Sequence, residues 1–422
     1  MTNMALEQFQ TFYDSVNGSQ SNISWRDTAY QSFIERGLPS KKNESWRYSK
    51  LAHWYQHFYP AASVVRAQAD TLLRQYNADI VVVDGVVLYA QLPAGVQASG
   101  VTEANATVFE DSVNTLLKEH HTANSLVDFT LACCTDACLI QVDARATVAR
   151  LKIVHVCSKK VASNTLQCVR VAAGARIHIE EHFVGAEALS FQQHHVAHFM
   201  LAEGATCTHD KYHEQSGQGN AQVYRCIEQQ ASSHYHANHY HFNNVVVRDE
   251  SVVLLKEAHA SCKIWGMSAT VDSNWQSTHV RVMHLADHCE STQLYRSLVA
   301  DKAQQSFQGE IYVPKGVQGT IAHQDSKSIL LGKKARSNVK PFLEIYTDDV
   351  VCSHSATVGQ LDRKAVFYMR SRGLTETQAC YVLLHAFVNP VVEAAYSEAI
   401  KALVDEGVRS FGASLAPAEV LR

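Results

Sequence analysis

From residue 140 to 356 short β-branched and aromatic runs follow one another too closely for a crossover helix to fit between them. No proline lies between Pro93 and Pro314. Proline has no backbone donor, so a stretch this long without one predicts strands hydrogen-bonded on both sides, not a string of exposed edges. The runs at 196–201, 221–227, 245–247, 252–255, 278–284, 309–313, 328–331 and 342–346 recur through the body. Within 175–182, Ile177 and Ile179 share one face while Arg176, His178 and Glu180 share the other, which predicts a half-buried strand. A sandwich or a solenoid of stacked strands remains, and the irregular repeat does not choose between them.

Helical patterns flank this body. They cover 5–16 and 27–36, the second ended by Gly37 and Pro39. The polar connector 37–48 carries Trp46 and Tyr48, which are expected to anchor it. Asp84-Gly85 between the β-branched runs of 80–88 predicts a hairpin. After Gly359, Thr375 and Gln378 spell a capping box, with Ala379, Val382, Leu383, Ala386 and Phe387 following as one apolar stripe. Asn389-Pro390 is expected to end that helix. A second stripe of Val392, Tyr396, Ala399 and Leu403 predicts another, with Gly407 near its end. This helical pair is either a cap on the β body or a docking surface. The expected division is a mostly helical 1–130, a β core over 131–358 and a helical 359–422.

Composition narrows the function classes. The chain has 422 residues, 46% of them hydrophobic, which fills substantial cores and excludes disorder as the dominant state. With 37 basic and 41 acidic residues the formal charge is -4, so there is no general basic surface for nucleic acid. The amino terminus lacks the basic start and apolar core of a secretory signal, and the apolar runs are short. Eleven cysteines then read as free thiols in a reducing compartment, with the cytoplasm expected. Neither phosphate-binding glycine loop occurs, so ATP, if used, is expected on another chain. No His-Glu-x-x-His, Gly-x-Ser-x-Gly or Cys-x-x-Cys is present, and Cys133, Cys134 and Cys138 read as structural. No carboxylate pair at a recognisable spacing supports a glycosidase.

The most suggestive chemistry lies in Asp348-Asp-Val-Val-Cys-Ser-His-Ser-Ala-Thr357. On a strand, Cys352 and His354 point from one face, roughly 6 to 7 Å apart. A thiolate and an imidazole suit iron, zinc or an iron-sulfur cluster. Two ligands are too few to hold such a centre, so others must come from elsewhere in the chain or from another chain; the alternative is a buried cysteine beside a hydrogen-bonded histidine. Among 23 histidines, two groups stand out: His194, His195 and His198, then His234, His236, His239 and His241. The step from His236 to His239 switches strand parity, so the second group reads as a solvated face rather than a four-histidine site. His284 and Cys289 sit at a turn. The rival reading is a stand-alone metalloenzyme on a β-solenoid that uses the clustered histidines.

The segment Leu343-Glu-Ile-Tyr-Thr-Asp-Asp-Val-Val-Cys-Ser-His-Ser-Ala-Thr-Val-Gly-Gln-Leu-Asp362, followed by Phe367-Tyr-Met-Arg-Ser-Arg-Gly-Leu374, closely resembles the signature of the SufB/SufD family of iron-sulfur cluster assembly proteins. The Gly37-Leu-Pro connector, 284–291, Phe307-Gln-Gly-Glu-Ile311 and Ser328-Ile-Leu-Leu-Gly332 match as well, and the compact length looks like the SufD branch. Ser355 departs from the glycine usual there, on the strand face opposite His354. The resemblance implies a mainly β fold, a β-helix (stacked-strand solenoid) core with N-terminal and C-terminal helical regions. It implies a non-catalytic scaffold subunit working with the SufB paralogue and the ATPase SufC.

By the same resemblance, SufC docks on the carboxy-terminal helices, with Phe367, Arg370, Arg372, Gly373, Ala379, Val382, Leu383 and Phe387 as candidate contacts. SufB pairs with the end of the β-helix, which makes 350–356 an edge strand completed by a partner. A transient iron-sulfur cluster or iron forms at that shared interface, with His354 as ligand and Cys352 as its weaker neighbour. A reduced flavin on the whole complex, and a homodimer of the isolated chain, are allowed.

Overall fold

The computed structural model describes residues 2–17, 23–49, 54, 59, 69–119, 124–185, 190–215, 217, 219–242 and 245–414. The first strands are β1 (Ile80–Val83), β2 (Val86–Tyr89) and β3 (Val96–Ser99). The body begins with β4 (Asp136–Val142), β5 (Thr147–Cys157), β6 (Ala162–Val171), β7 (Arg176–Gly185), β8 (Gln192–Leu201) and β9 (Thr206–Glu214). It continues through β10 (Asn220–Gln229), β11 (His234–His241), β12 (Val246–Leu255), β13 (Ser261–Thr270) and β14 (Trp275–His284). It ends with β15 (Glu290–Ala300), β16 (Gln304–Val313), β17 (Thr320–Leu331), β18 (Arg336–Ile345) and β19 (Val350–Gln360).

From β4 onward each strand pairs in parallel with the strand two further along, so the chain alternates between two sheets. One sheet runs β19-β17-β15-β13-β11-β9-β7-β5-β1-β2 and the other β18-β16-β14-β12-β10-β8-β6-β4-β3. This is a β-solenoid, and the choice that periodicity left open is settled. Pairing on both sides explains the missing prolines. The first to reappear inside a strand, Pro341, lies in β18, which has one hydrogen-bonded neighbour among the described residues.

The corners show how the rungs lock. Arg145, Gly174, Gly204, Ser232, His259 and His288 occupy equivalent turns, all with φ between 54° and 66°. Each donates its backbone N–H to a carbonyl of the next rung, as from Gly174 to Glu203 and from Ser232 to Ala258. The left-handed conformation costs a non-glycine residue about 1 to 2 kcal/mol, and the rung-to-rung bond offsets part of that cost.

Helices clad both sheets. Before the body come α1 (Thr2–Asn17), α2 (Arg26–Arg36), α3 (Ala69–Tyr76), α4 (Ala106–Glu119) and α5 (Ser125–Ala132). Phe9, Phe33, Phe109 and Phe129 from this group pack on the outward residues Leu166, Val196, Tyr224 and Val252 of the β4-to-β18 sheet. After the body come α6 (Arg363–Ser371), α7 (Glu376–Val392) and α8 (Glu398–Ser414). Leu384, Val388, Ile400, Val404 and Val408 cover Tyr212, Tyr240, Met267 and Leu298 of the other sheet. The lumen between the sheets is filled at its first end by Ile153, Val169, Ile179 and Phe199.

This cladding corrects several expectations. Strand β7 is buried on both faces, not half-buried, because its outer His178 lies under Tyr396, with ring centres 4.4 Å apart. Trp46 is a buried anchor, whereas Tyr48 is 48% exposed and is held by its carbonyl, which accepts from Trp275 Nε1 at 3.0 Å. Helix α7 passes through Pro390 to Val392, since a proline this near the end removes a single donor and the Glu393 N–H still reaches the Asn389 carbonyl at 2.9 Å. The buried stripe of α8 is Ile400, Val404, Val408 and Phe411, while Tyr396 is 62% exposed. Gly407 lies inside α8, where the Phe242 ring presses against it. The hairpin and the capping box form as expected: Asp84 and Gly85 both have positive φ, and Thr375 and Gln378 bond reciprocally.

Candidate functional site

The two ends of the solenoid differ. At the first end β2 runs antiparallel to β1 and β3 antiparallel to β4, and Leu73 of α3 packs on Val81 and Leu88. At the last end β18 pairs with β16 and β19 with β17, and among the described residues neither has a second partner. An uncovered strand edge presents unpaired N–H and C=O groups to another chain. Val351 and Val358 of β19 are 62% and 43% exposed, and Tyr346 just before it is 55% exposed.

Cys352 and His354 lie on this last strand, on its lumen-facing side. Cys352 is half-buried with Leu343, Ile345 and Val350 against Ile311, Val313 and Ala322. Burial pushes its thiol up, against a backbone hydrogen bond from Ala322. His354 is exposed. The two therefore share a face but not an environment: one is a packed thiol, the other an accessible imidazole. Ser355 is exposed on the opposite face, in register with Asp325.

Two residues that sequence patterns did not single out lie beneath His354. In register, His354 stacks on Gln324 of β17, which stacks on Gln293 of β15. Gln324 is buried, and both polar atoms of its amide lack a hydrogen-bond partner among the described residues. A Cβ at Gly309 would overlap the Gln324 amide, which is why glycine occupies the middle of Phe307-Gln-Gly-Glu-Ile311. The column Gln293, Gln324 and His354 thus presents polar groups from the lumen to the open rung. The glycine was its one sequence signal.

On the carboxy-terminal helices, Phe367 is 73% exposed and Val382 is half exposed. Arg370 pairs with Glu376 at 3.1 Å, and the Arg372 guanidinium lies over the Tyr368 ring. Gly373 has φ 95°, the turn that separates α6 from α7. Leu383 and Phe387 are partly buried, and Arg296 lies over the Phe387 ring. Ala379 is fully buried in the protein's own core, so its side chain has no surface to offer.

The histidine groups are not solvated faces. Alternation sends His195 into the lumen and His194 outward beneath Trp54, while His198 faces Glu228. His239 and His241 are buried in the lumen, His236 packs beside Trp265, and His234 alone is exposed. The outward His194 is covered by Trp54 and by Phe129 of α5, and the inward histidines are enclosed between the two sheets.

Two carboxylates organise the lumen. Asp249 pairs with Lys211 and Arg225 and lies 2.8 Å from His241 Nε2. Glu181 Oε1 lies 2.9 Å from His155 Nε2 and 3.6 Å from His195 Nε2, and its Oε2 lies 3.1 Å from His209 Nε2. Burial by itself would raise the Glu181 carboxyl, but hydrogen bonding to His155 and His209 holds it well below the ordinary range. His284 bonds Ser291, and Cys289 donates to the Glu257 carbonyl, so each has its own partner. Cys133, Cys134 and Cys138 are buried, with burial pushing the last two up to about 12, the state of inert structural thiols.

Fold and site together define a parallel β-solenoid, helix-clad on both faces and ending in an exposed last rung that carries a cysteine and a histidine. Residues 154–387 match the family described as SUF system FeS cluster assembly, SufBD core domain, and the chain belongs to that family of iron-sulfur cluster assembly proteins. It is similar to the iron-sulfur cluster assembly protein SufD of Escherichia coli (strain K12), 26% identical over 424 residues that cover 94% of each chain. An iron-sulfur cluster assembly SufBD family protein of Synechocystis is 24% identical over 90% of this chain and 89% of its own. The chloroplastic protein ABCI7 of Arabidopsis thaliana is 27% identical over 55% of this chain and 49% of its own. Among the described residues no helix is long and apolar enough to cross a membrane.

Proposed function

We propose that this chain is a non-catalytic scaffold subunit for iron-sulfur cluster assembly, which pairs its open last rung with a SufB paralogue and docks the ATPase SufC on α6 to α8. Iron and the nascent cluster are the cargo. His354 is a ligand supplied to that cargo from the edge, and Cys352 stands one strand position pair deeper as the second donor. The observation that carries the reading is the exposed last strand: most side chains of β19 are open, and its outer edge has no strand partner among the described residues beside His354. A donor set this small needs ligands from a second chain, and a free parallel edge is the means of bringing that chain into register.

The docking half of the reading is supported by the exposed Phe367 and Val382 on helices whose other face is anchored to the β body. ATP hydrolysis in the docked partner would move these helices and, through them, the sheet that ends in β19.

The test is cluster formation in a complex reconstituted with SufB and SufC. His354→Ala is expected to leave the fold and the complex intact while lowering the yield of cluster. An undiminished yield removes His354 from the site.

A further inference from the structure

The charged residues in the lumen fall into two groups with different needs. Asp249 has Lys211 and Arg225 as direct ion-pair partners, so its charge is compensated. Glu181, equally buried, is contacted by His155, His195 and His209 and, among the described residues, by no lysine or arginine within ion-pair distance. A carboxylate taken out of water without a lysine or arginine partner is costly by several kcal/mol.

The imidazoles are also arranged beyond what hydrogen bonding uses. His195 Nε2 points at Glu181 Oε1 from 3.6 Å, too far for a hydrogen bond, and has no other partner among the described residues. Its other nitrogen, Nδ1, is fixed by Thr165 Oγ1 at 2.9 Å. His209 Nδ1 is fixed in the same way by the Tyr235 hydroxyl at 3.0 Å, while its Nε2 holds the second oxygen of Glu181. An imidazole oriented through one nitrogen, with the other aimed at a shared point, is the arrangement that metal-ligating histidines adopt.

The distances fit a metal. One ligand atom each from His155, Glu181 and His195 lies within 4.8 Å of the others. An ion bound at about 2.0 to 2.2 Å separates neighbouring ligand atoms by roughly 3 to 4 Å. Two imidazoles and one carboxylate, with no thiolate, favour zinc or iron(II) over calcium, magnesium or copper(I).

We propose that His155, Glu181 and His195 bind one divalent transition-metal ion, zinc or iron(II), inside the solenoid. His155 and Glu181 come from the neighbouring strands β5 and β7, and His195 from β8 of the facing sheet. The ion is therefore a staple across the lumen. All three ligands are at most 1% exposed, so it enters as the rungs close during folding and exchanges slowly afterwards. This resident site is separate from the cargo site at His354 and does not depend on it.

The experiment uses the full chain, purified from cells supplied with cobalt(II), which reports its own coordination by visible absorption. Expected are about one transition-metal ion per chain, cobalt bands of a nitrogen and oxygen site, and retention during chelation of the folded protein but not after unfolding. Glu181→Gln and His195→Gln each lower retained metal by roughly tenfold or more, whereas Cys352→Ala with His354→Ala retains it. Wild-type protein that carries no metal, or full retention in both lumen variants, overturns the proposal. If neither lumen variant folds, X-ray absorption of the wild-type metal decides: two imidazoles with oxygen support the site, and a sulfur ligand overturns it.

Discussion

The Arg248 guanidinium lies over the Trp46 ring, its central carbon 3.8 Å from the ring centre, and so fastens the connector before the β body to strand β12. Arg248 also donates to the Ser45 carbonyl at 2.9 Å and pairs with Glu250, whose other oxygen accepts from Asn124 Nδ2. Arg248, Trp46, Glu250 and Asn124 are all buried. Arg248→Ala leaves a buried carboxylate without its cation and removes the face that covers Trp46. The expected loss of unfolding free energy is about 3 to 5 kcal/mol, read from the denaturant midpoint at unchanged slope. Combining it with Glu250→Gln is expected to cost less than the sum of the two changes. Strict additivity would show that the pair does not act as one unit.

Gly407 lies inside α8, where glycine is ordinarily about 1 kcal/mol worse than alanine. Here a Cβ would meet three ring atoms of Phe242 at 2.7 to 2.9 Å. Gly407→Ala is therefore expected to lower the melting temperature in the native background, yet raise it in a Phe242→Ala background where the ring is gone. The same sign in both backgrounds would mean that the ring contact is not what keeps glycine there.

Val351 and Val358 are the apolar side chains that β19 leaves most open. Lysine at both is expected to change the stability of the isolated chain by no more than about 1 kcal/mol, because exposed substitutions cost little. A paralogue strand laid along the same edge would bury or crowd those charges, weakening association roughly tenfold or more. Affinity unaltered by the double substitution in a binding titration would rule out pairing at this edge.

Acid should unfold the protein earlier than its carboxylates alone would suggest. Burial holds His194 and His241 down to about 4, against 6.5 for a free imidazole. As the pH falls below about 6.5 the unfolded chain takes up protons that the folded one refuses, so stability drops in that window. Each of these two imidazoles accounts for roughly 2 kcal/mol between about pH 7 and about pH 5. Lower down, Glu180 and Glu228, held at about 2 by hydrogen bonds that outweigh their burial, add a loss from about pH 4.5 downward. Urea unfolding at a series of pH values reads both windows. A flat profile between about pH 7 and about pH 5 would show that the folded protein takes up these protons as readily as the unfolded chain.

Much of the architecture is legible locally. Alternation in 175–182 places Ile177 and Ile179 on one face, and strand parity alone puts Cys352 and His354 on the same side of their strand. The repeat itself is hidden, because the corner positions are filled by Arg145, Gly174, Gly204, Ser232, His259 and His288. What those residues share is a backbone angle and a bond to the next rung, and neither constrains the side chain. Pro390 and the α8 stripe mislead for a related reason: one proline near a helix end is tolerated, and two faces of α8 carry apolar residues of which the sheet covers only one.

The amino-acid order by itself determined that there would be strands, where the hairpin and the capping box lie, and which side chains share a face, because these depend on neighbours a few residues away. The stacking of rungs decided the rest. It placed Gln324 beneath His354, buried both faces of β7, gathered His155, Glu181 and His195 around one point, and left β18 and β19 uncovered among the described residues. Burial and edge exposure are relations between segments that lie tens to hundreds of residues apart, and no local period encodes which of them will meet.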